Sequence, residues 1–152
     1  MARSLTDQEA SMLFKTLSLA AVAALSLAAP AMAEDVTLTL TGVQARGGVL
    51  LAALQTRGQF MQPAGAYGER VVDPASGAVR VTFRNVAPGD YALMVLHDED
   101  GDGQMKMNGY MPAEGWAMIN GDSLRATPTF DQVKFTVAAS GAAISVPMSY
   151  PR

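Results

Sequence analysis

Val36, Leu38 and Leu40 alternate with Thr37, Thr39 and Thr41, a period of two that gives a strand one apolar face and one hydroxyl-bearing face. The same alternation returns where Val79, Val81 and Phe83 interleave with Arg80, Thr82 and Arg84, and where Val133, Phe135 and Val137 flank Lys134 and Thr136. It returns once more in Ile144, Val146 and Met148, which alternate with Ser145 and Pro147. Pro147 has no N–H to give to a ladder, so this last strand is predicted at a sheet edge or bulge. Residues 91–96, Tyr-Ala-Leu-Met-Val-Leu, are apolar at both parities, which predicts a central strand covered on both faces. Residues 49–54 form a short apolar run entered through Gly47-Gly48 and read as the second arm of a hairpin turning through residues 44–48. Pro88-Gly89 marks a tight turn, with proline fixing φ and glycine free to take a positive one.

Short strands separated by glycine and proline turns, without an amphipathic helix, predict an all-β fold: an antiparallel sandwich of about seven strands. The long segments 58–77 and 101–128 read as irregular, and loops of that length in a compact domain are commonly functional.

The amino-terminal 33 residues read differently. Lys15 opens an almost wholly apolar run over residues 17–29, and Ala31-Met32-Ala33 supplies the small-x-small pattern of a signal-peptidase site. The run is shorter than the roughly 20 apolar residues a spanning helix needs, so a cleaved leader is expected, with cleavage after Ala33 and no span in the mature form. Asp7 and Glu9 are out of place in a basic leader, and Met12-Leu13-Phe14-Lys15 makes a more ordinary start, so Met1 and Met12 both stand as initiators. The remaining 119 residues, 34–152, have the size of one domain. Arg3, Lys15, Asp7 and Glu9 fall in the leader, so the net charge stays at −3. With no basic stripe, nucleic acid is not an expected partner. The chain has no cysteine, which removes disulfides and an amino-terminal lipid anchor, and a periplasmic or secreted location is expected.

Candidate chemistry concentrates after the apolar run, in His97-Asp98-Glu99-Asp100-Gly101-Asp102-Gly103. Carboxylates at alternate positions followed by glycine suit a hard cation such as Ca²⁺. Asp98, Asp100 and Asp102 take the first, third and fifth positions of a calcium loop, and the Gln104 carbonyl takes the seventh. Gly109 stands at the twelfth, where a helical sensor requires a bidentate glutamate, so extra oxygens would have to come from Glu114, Asn108, Asn120 or Asp122. The alternative is a solvated acidic turn in which the aspartates bond their own backbone. His97, the one histidine, either pins the strand exit or acts as a base; with no cysteine and no nucleophile-elbow motif, the pattern predicts no enzyme. Met105, Met107, Met111, Met118 and Met61 with His97 offer soft ligands for Cu(I), although methionine is also a common core filler. Tyr110, Trp116 and Phe130 are expected on the long loop, either gripping a partner or plugging the loop onto the core.

Taken in order, Val86-Ala87-Pro88-Gly89-Asp90-Tyr91-Ala92, the acidic segment 97–103, Gly109-Tyr110-Met111-Pro112-Ala113-Glu114-Gly115-Trp116 and Pro128-Thr129-Phe130-Asp131 resemble the DUF2141 family of exported bacterial proteins. The resemblance implies an immunoglobulin-like or prealbumin-like β-sandwich and a periplasmic or extracellular location, and it supplies no activity. The chain departs from the family pattern at Gln104-Met105-Lys106-Met107-Asn108, which is one residue shorter and carries Lys106 near where an aspartate is usual; this counts against strong cation binding. The expected function is a non-enzymatic binding or accessory module with a Ca²⁺-stabilised acidic loop. Its binding residues are expected to be His97, Tyr110, Trp116, Asn120 and Phe130, and its partner an envelope protein or glycan. The alternatives are a Cu(I)-binding protein and a hydrolase using His97.

Overall fold

The inward parities chosen by the sequence become two facing apolar layers. The computed structural model describes residues 32–152; the leader reading falls, but for Met32 and Ala33, outside the described residues. Strands β1 (Glu34–Val43), β4 (Gly77–Val86) and β10 (Ala142–Pro147) form one sheet in the order β10-β1-β4. The second sheet runs β3 (Tyr67–Val72), β2 (Val49–Gln55), β5 (Gly89–Asp98), β8 (Gly115–Met118), with β9 (Lys134–Val137) also paired to β5. Between them lie Leu38, Leu40, Leu50, Leu54, Phe83 and Leu93, each almost without exposure, and burying a side chain of this size is worth about 1.5–3 kcal/mol. The fold is an all-β sandwich.

One pair departs from the antiparallel rule. β1 runs parallel to β10, with Leu38 opposite Ile144 and Leu40 opposite Val146, while every other pairing among the described strands is antiparallel. Pro147 lies on the edge strand, as a residue without an N–H must.

Residues 44–48 do not make a hairpin. β1 pairs with β4 and β10, and β2 pairs with β3 and β5, so the segment arches from one sheet to the other. The reason is packing: Val36, Leu38 and Leu40 must face Leu50, Ala52 and Leu54 across the core rather than lie beside them. Gly48 makes the arch possible. Its φ is +66°, and a β-carbon there would collide with the carbonyl oxygen of Asp98.

The central strand β5 is covered on both faces. Leu93 and Val95 point into the main core, while Ala92 and Met94 meet a second cluster of Met118, Phe130, Val133, Phe60, Trp116 and Leu124. The single-turn helix α1 (Phe130–Val133) delivers Phe130 and Val133 to that cluster. The segments expected to be irregular thus hold β3 and β8, together with β6 (Met107–Asn108) and β7 (Met111–Pro112). They lack long alternating runs because β6 and β7 have two residues each and β8 has four. α1 takes Val133 out of the strand its alternation with Phe135 and Val137 predicted, so that β9 starts only at Lys134.

Both sides of the sandwich are clasped. At one, the Ala87 N–H donates to the Tyr67 hydroxyl at 3.0 Å and the Tyr91 hydroxyl donates to the Ala87 carbonyl at 2.9 Å. At the other, Ser149 and Trp116 exchange two backbone hydrogen bonds of 2.8 Å, joining the chain after β10 to β8 in the opposite sheet. Paired or covered edges resist pairing with other chains.

Candidate functional site

β5 ends at Asp98, whose side chain organises everything that follows. Although it is a carboxylate, it is only 3% exposed. Burial is tolerable because Oδ1 accepts from Gly101 N–H at 2.8 Å and Asp102 N–H at 3.2 Å, and Oδ2 accepts from Gly103 N–H at 2.9 Å. Gly101 and Gly103, at φ +78° and +74°, let three successive N–H groups converge on one side chain. Around this knot Asp100 accepts from Asp102 N–H at 3.3 Å and Asp102 from Gln104 N–H at 2.8 Å. Ligand oxygens of Asp98, Asp100 and Asp102 lie within 4.8 Å of one another. The Lys106 ammonium sits against Asp100 Oδ2.

Glu114 fastens the far end of this loop. It is 4% exposed; its Oε1 accepts from Glu99 N–H at 3.1 Å and its Oε2 from Lys106 N–H at 3.1 Å. The Ala113 N–H donates to the Lys106 carbonyl at 2.7 Å, so the backbone of Lys106 is held on both sides. From that base rises the β6–β7 hairpin, with Met107 opposite Pro112 and Asn108 opposite Met111. At its tip Tyr110 is 99% exposed, flanked by Met111 at 69% and Met107 at 54%.

His97 faces the interior, away from the acidic loop. With no exposure at all, its Nε2–H donates to the Gly47 carbonyl at 2.8 Å. A carbonyl only accepts, so Nε2 carries the proton, and in the neutral ring Nδ1 accepts from the Tyr150 hydroxyl at 2.8 Å. Tyr150 in turn accepts from Gln44 N–H at 3.0 Å. Burial foremost pushes its phenol above the usual tyrosine range, against the opposing pull of Gln44 N–H and Arg46. The Arg46 guanidinium stacks 4.8 Å from the Tyr150 ring centre and pairs with Glu99 at 3.1 Å. The arch, the end of β5 and the chain after β10 thereby meet at one imidazole.

The remaining expected site residues disperse. β8 runs antiparallel to β5, with Gly115 opposite His97 and Met118 opposite Met94, so the chain leaves the acidic end as it reaches Asn120. There Asn120 donates from Nδ2 to the Gln132 carbonyl at 3.0 Å and lines, with Arg125 and Thr127, a surface hollow of about 370 Å³. Trp116 belongs to β8 rather than to a loop; half-buried, it joins buried Phe130 in the outer cluster. Of the three aromatics, only Tyr110 projects. The methionines grouped with His97 are likewise scattered: Met118 is buried in the outer cluster, and Met107 and Met111 occupy opposite faces of the hairpin by its register.

A family model described as an uncharacterised protein conserved in bacteria, DUF2141, matches residues 38–145. The chain belongs to the DUF2141 family. No curated protein and no solved structure matches it significantly. The DUF2141 match begins within β1 and ends within β10, so it takes in Asp98, the hairpin and Glu114, while Tyr150 lies beyond it.

Two residues of the site escaped the sequence. Tyr150 and Gly47 are far from His97 along the chain, and no local pattern announces their meeting. Away from the site, at the other end of β2, Gln55 is also buried unexpectedly: 3% exposed, it binds the Gln62 carbonyl at 2.7 Å and Met61 N–H at 3.1 Å, tying down the loop after β2. A glutamine ending an apolar strand was its one signal.

Proposed function

We propose that this chain is an exported, non-enzymatic binding module that engages an envelope protein through the hairpin tip Met107, Tyr110 and Met111. The near-complete exposure of Tyr110 on a fixed base carries the reading. A large aromatic held out on a pre-ordered hairpin offers contact area at low entropy cost, and thioethers adapt to uneven apolar surfaces. Beneath the tip Glu99 is paired with Arg46 and Asp100 with Lys106, and Arg152 lies beside Asn108 and Met111, so charge favours neither sign of partner and the apolar tip carries the contact. Export rests on the leader pattern of residues 15–33. His97 weighs against hydrolysis, since both ring nitrogens are committed to Gly47 and Tyr150.

The test replaces Tyr110 with a photoreactive phenylalanine derivative in the bacterium that makes the protein. A discrete protein adduct is expected from position 110, absent from the same probe at Thr82 and lost when Met107 and Met111 are both changed to serine. Adduct formation that ignores the methionine changes would overturn the proposal. So would retention of the purified protein on a glycan array or on phosphatidylglycerol vesicles that Tyr110→Ser abolishes.

A further inference from the structure

We propose that the Lys106 ammonium is the acidic loop's own counter-ion, occupying the place a divalent cation would take beside Asp100 and so making the fold of residues 98–103 independent of metal. The inference stands apart from the partner reading and rests on how unevenly the three carboxylates are satisfied. Asp98 is filled by three backbone N–H groups. Asp102 receives Gln104 N–H at 2.8 Å, whereas Asp100 receives only the long 3.3 Å bond from Asp102 N–H. Asp100 therefore carries the least compensated charge in a group whose oxygens converge within 4.8 Å, and like charges so placed oppose the turn that brings them together.

Lys106 answers at that point. Its Nζ pairs with Asp100 Oδ2, the oxygen that no backbone donor reaches. The pairing is not left to chance, because the lysine backbone is fixed at both its N–H, by Glu114, and its carbonyl, by Ala113. A cation tethered this way acts at high effective concentration, and a free ion needing the same oxygen must displace it. The charges around Lys106 are Asp100, Asp102 and the buried Glu114, and Arg46 is engaged by Glu99. No other cation among the described residues pairs with the three aspartates.

Thermal melts of residues 34–152, of Lys106→Met and of Lys106→Arg, in EDTA and in 10 mM Ca²⁺, with ionic strength held equal with NaCl at about 0.15 M (about 8 Å Debye screening), decide it. Lys106→Met is expected to melt about 2–4 °C lower in EDTA and to recover in Ca²⁺, while the parent and Lys106→Arg do not respond to Ca²⁺. A parent protein that Ca²⁺ stabilises as much as the methionine variant overturns the proposal. So does a methionine variant that melts like the parent in EDTA, or that is weakened without recovering in Ca²⁺.

Discussion

The Tyr150 hydroxyl donates to Nδ1 of His97 at 2.8 Å while accepting from Gln44 N–H at 3.0 Å. Through these bonds a residue beyond the last strand reaches the end of the central one and the arch between sheets. Tyr150→Phe leaves a buried imidazole nitrogen without its donor and is expected to cost about 1–3 kcal/mol in urea denaturation. His97→Ala removes a fully buried side chain with both bonds, for about 2–4 kcal/mol. Because the residues share a bond, the double variant should cost less than the sum; strict additivity would mean the contact contributes nothing.

Alkaline pH should probe the same clasp. Burial raises the ionisation of both Tyr150 and Tyr91 above the free tyrosine value of about 10. The unfolded chain then gives up protons first, so stability is whole below about pH 10 and falls as pH rises toward the folded values. In Tyr150→Phe the decline above about pH 10 should be shallower, as followed by tryptophan fluorescence; an unchanged slope would show that Tyr150 ionisation does not weaken the fold.

Asp98 and Glu114 are expected to behave as structural carboxylates. Asp98→Ala orphans three backbone N–H groups and should cost about 2–4 kcal/mol, with new proteolytic cleavage within residues 99–106. Asp98→Asn keeps one acceptor oxygen and should fall between. Glu114→Ala, which removes both acceptors, should loosen Lys106 and raise cleavage at the hairpin base. Parent-like stability and cleavage in Asp98→Ala would show that the knot is not what holds the loop.

Gly48→Ala should be among the most harmful single-methyl changes. The added carbon meets the Asp98 carbonyl in a backbone conformation that L side chains rarely adopt, so a cost of about 3 kcal/mol or more, read by denaturant midpoint, is expected. Gly42, also at positive φ but with nothing near a β-carbon, is the comparison: its alanine variant should lose much less.

The strands with long alternation were legible because a period of two survives any arrangement of neighbours. Val36 to Leu40, Val79 to Phe83 and the doubly apolar β5 all fold as their patterns require. Partner choice was not legible: Gly47-Gly48 looks like a hairpin turn and serves an arch, because only the facing core decides which strand lies across from β1. The structure brings Asp98, Asp100 and Asp102 together because they are close along the chain, whereas Glu114 binds the Glu99 and Lys106 N–H groups instead of joining them. His97, Trp116, Asn120 and Phe130 were grouped with the site by type alone. Register sends Asn120 and Phe130 to the other end of β8 and turns His97 inward.

Amide hydrogen exchange of residues 34–152 in EDTA is the most direct measurement of whether the acidic loop and hairpin form a fixed mount for Tyr110. The Gly103 and Lys106 amides, bound by the Asp98 and Glu114 carboxylates at 2.9 and 3.1 Å, should exchange at least about 100-fold more slowly than in an unstructured chain, and Glu114→Ala should release Lys106 while Gly103 stays protected. Exchange of both amides at unstructured rates, with protection appearing only when Ca²⁺ is added, would contradict a mount that this chain builds from its own residues.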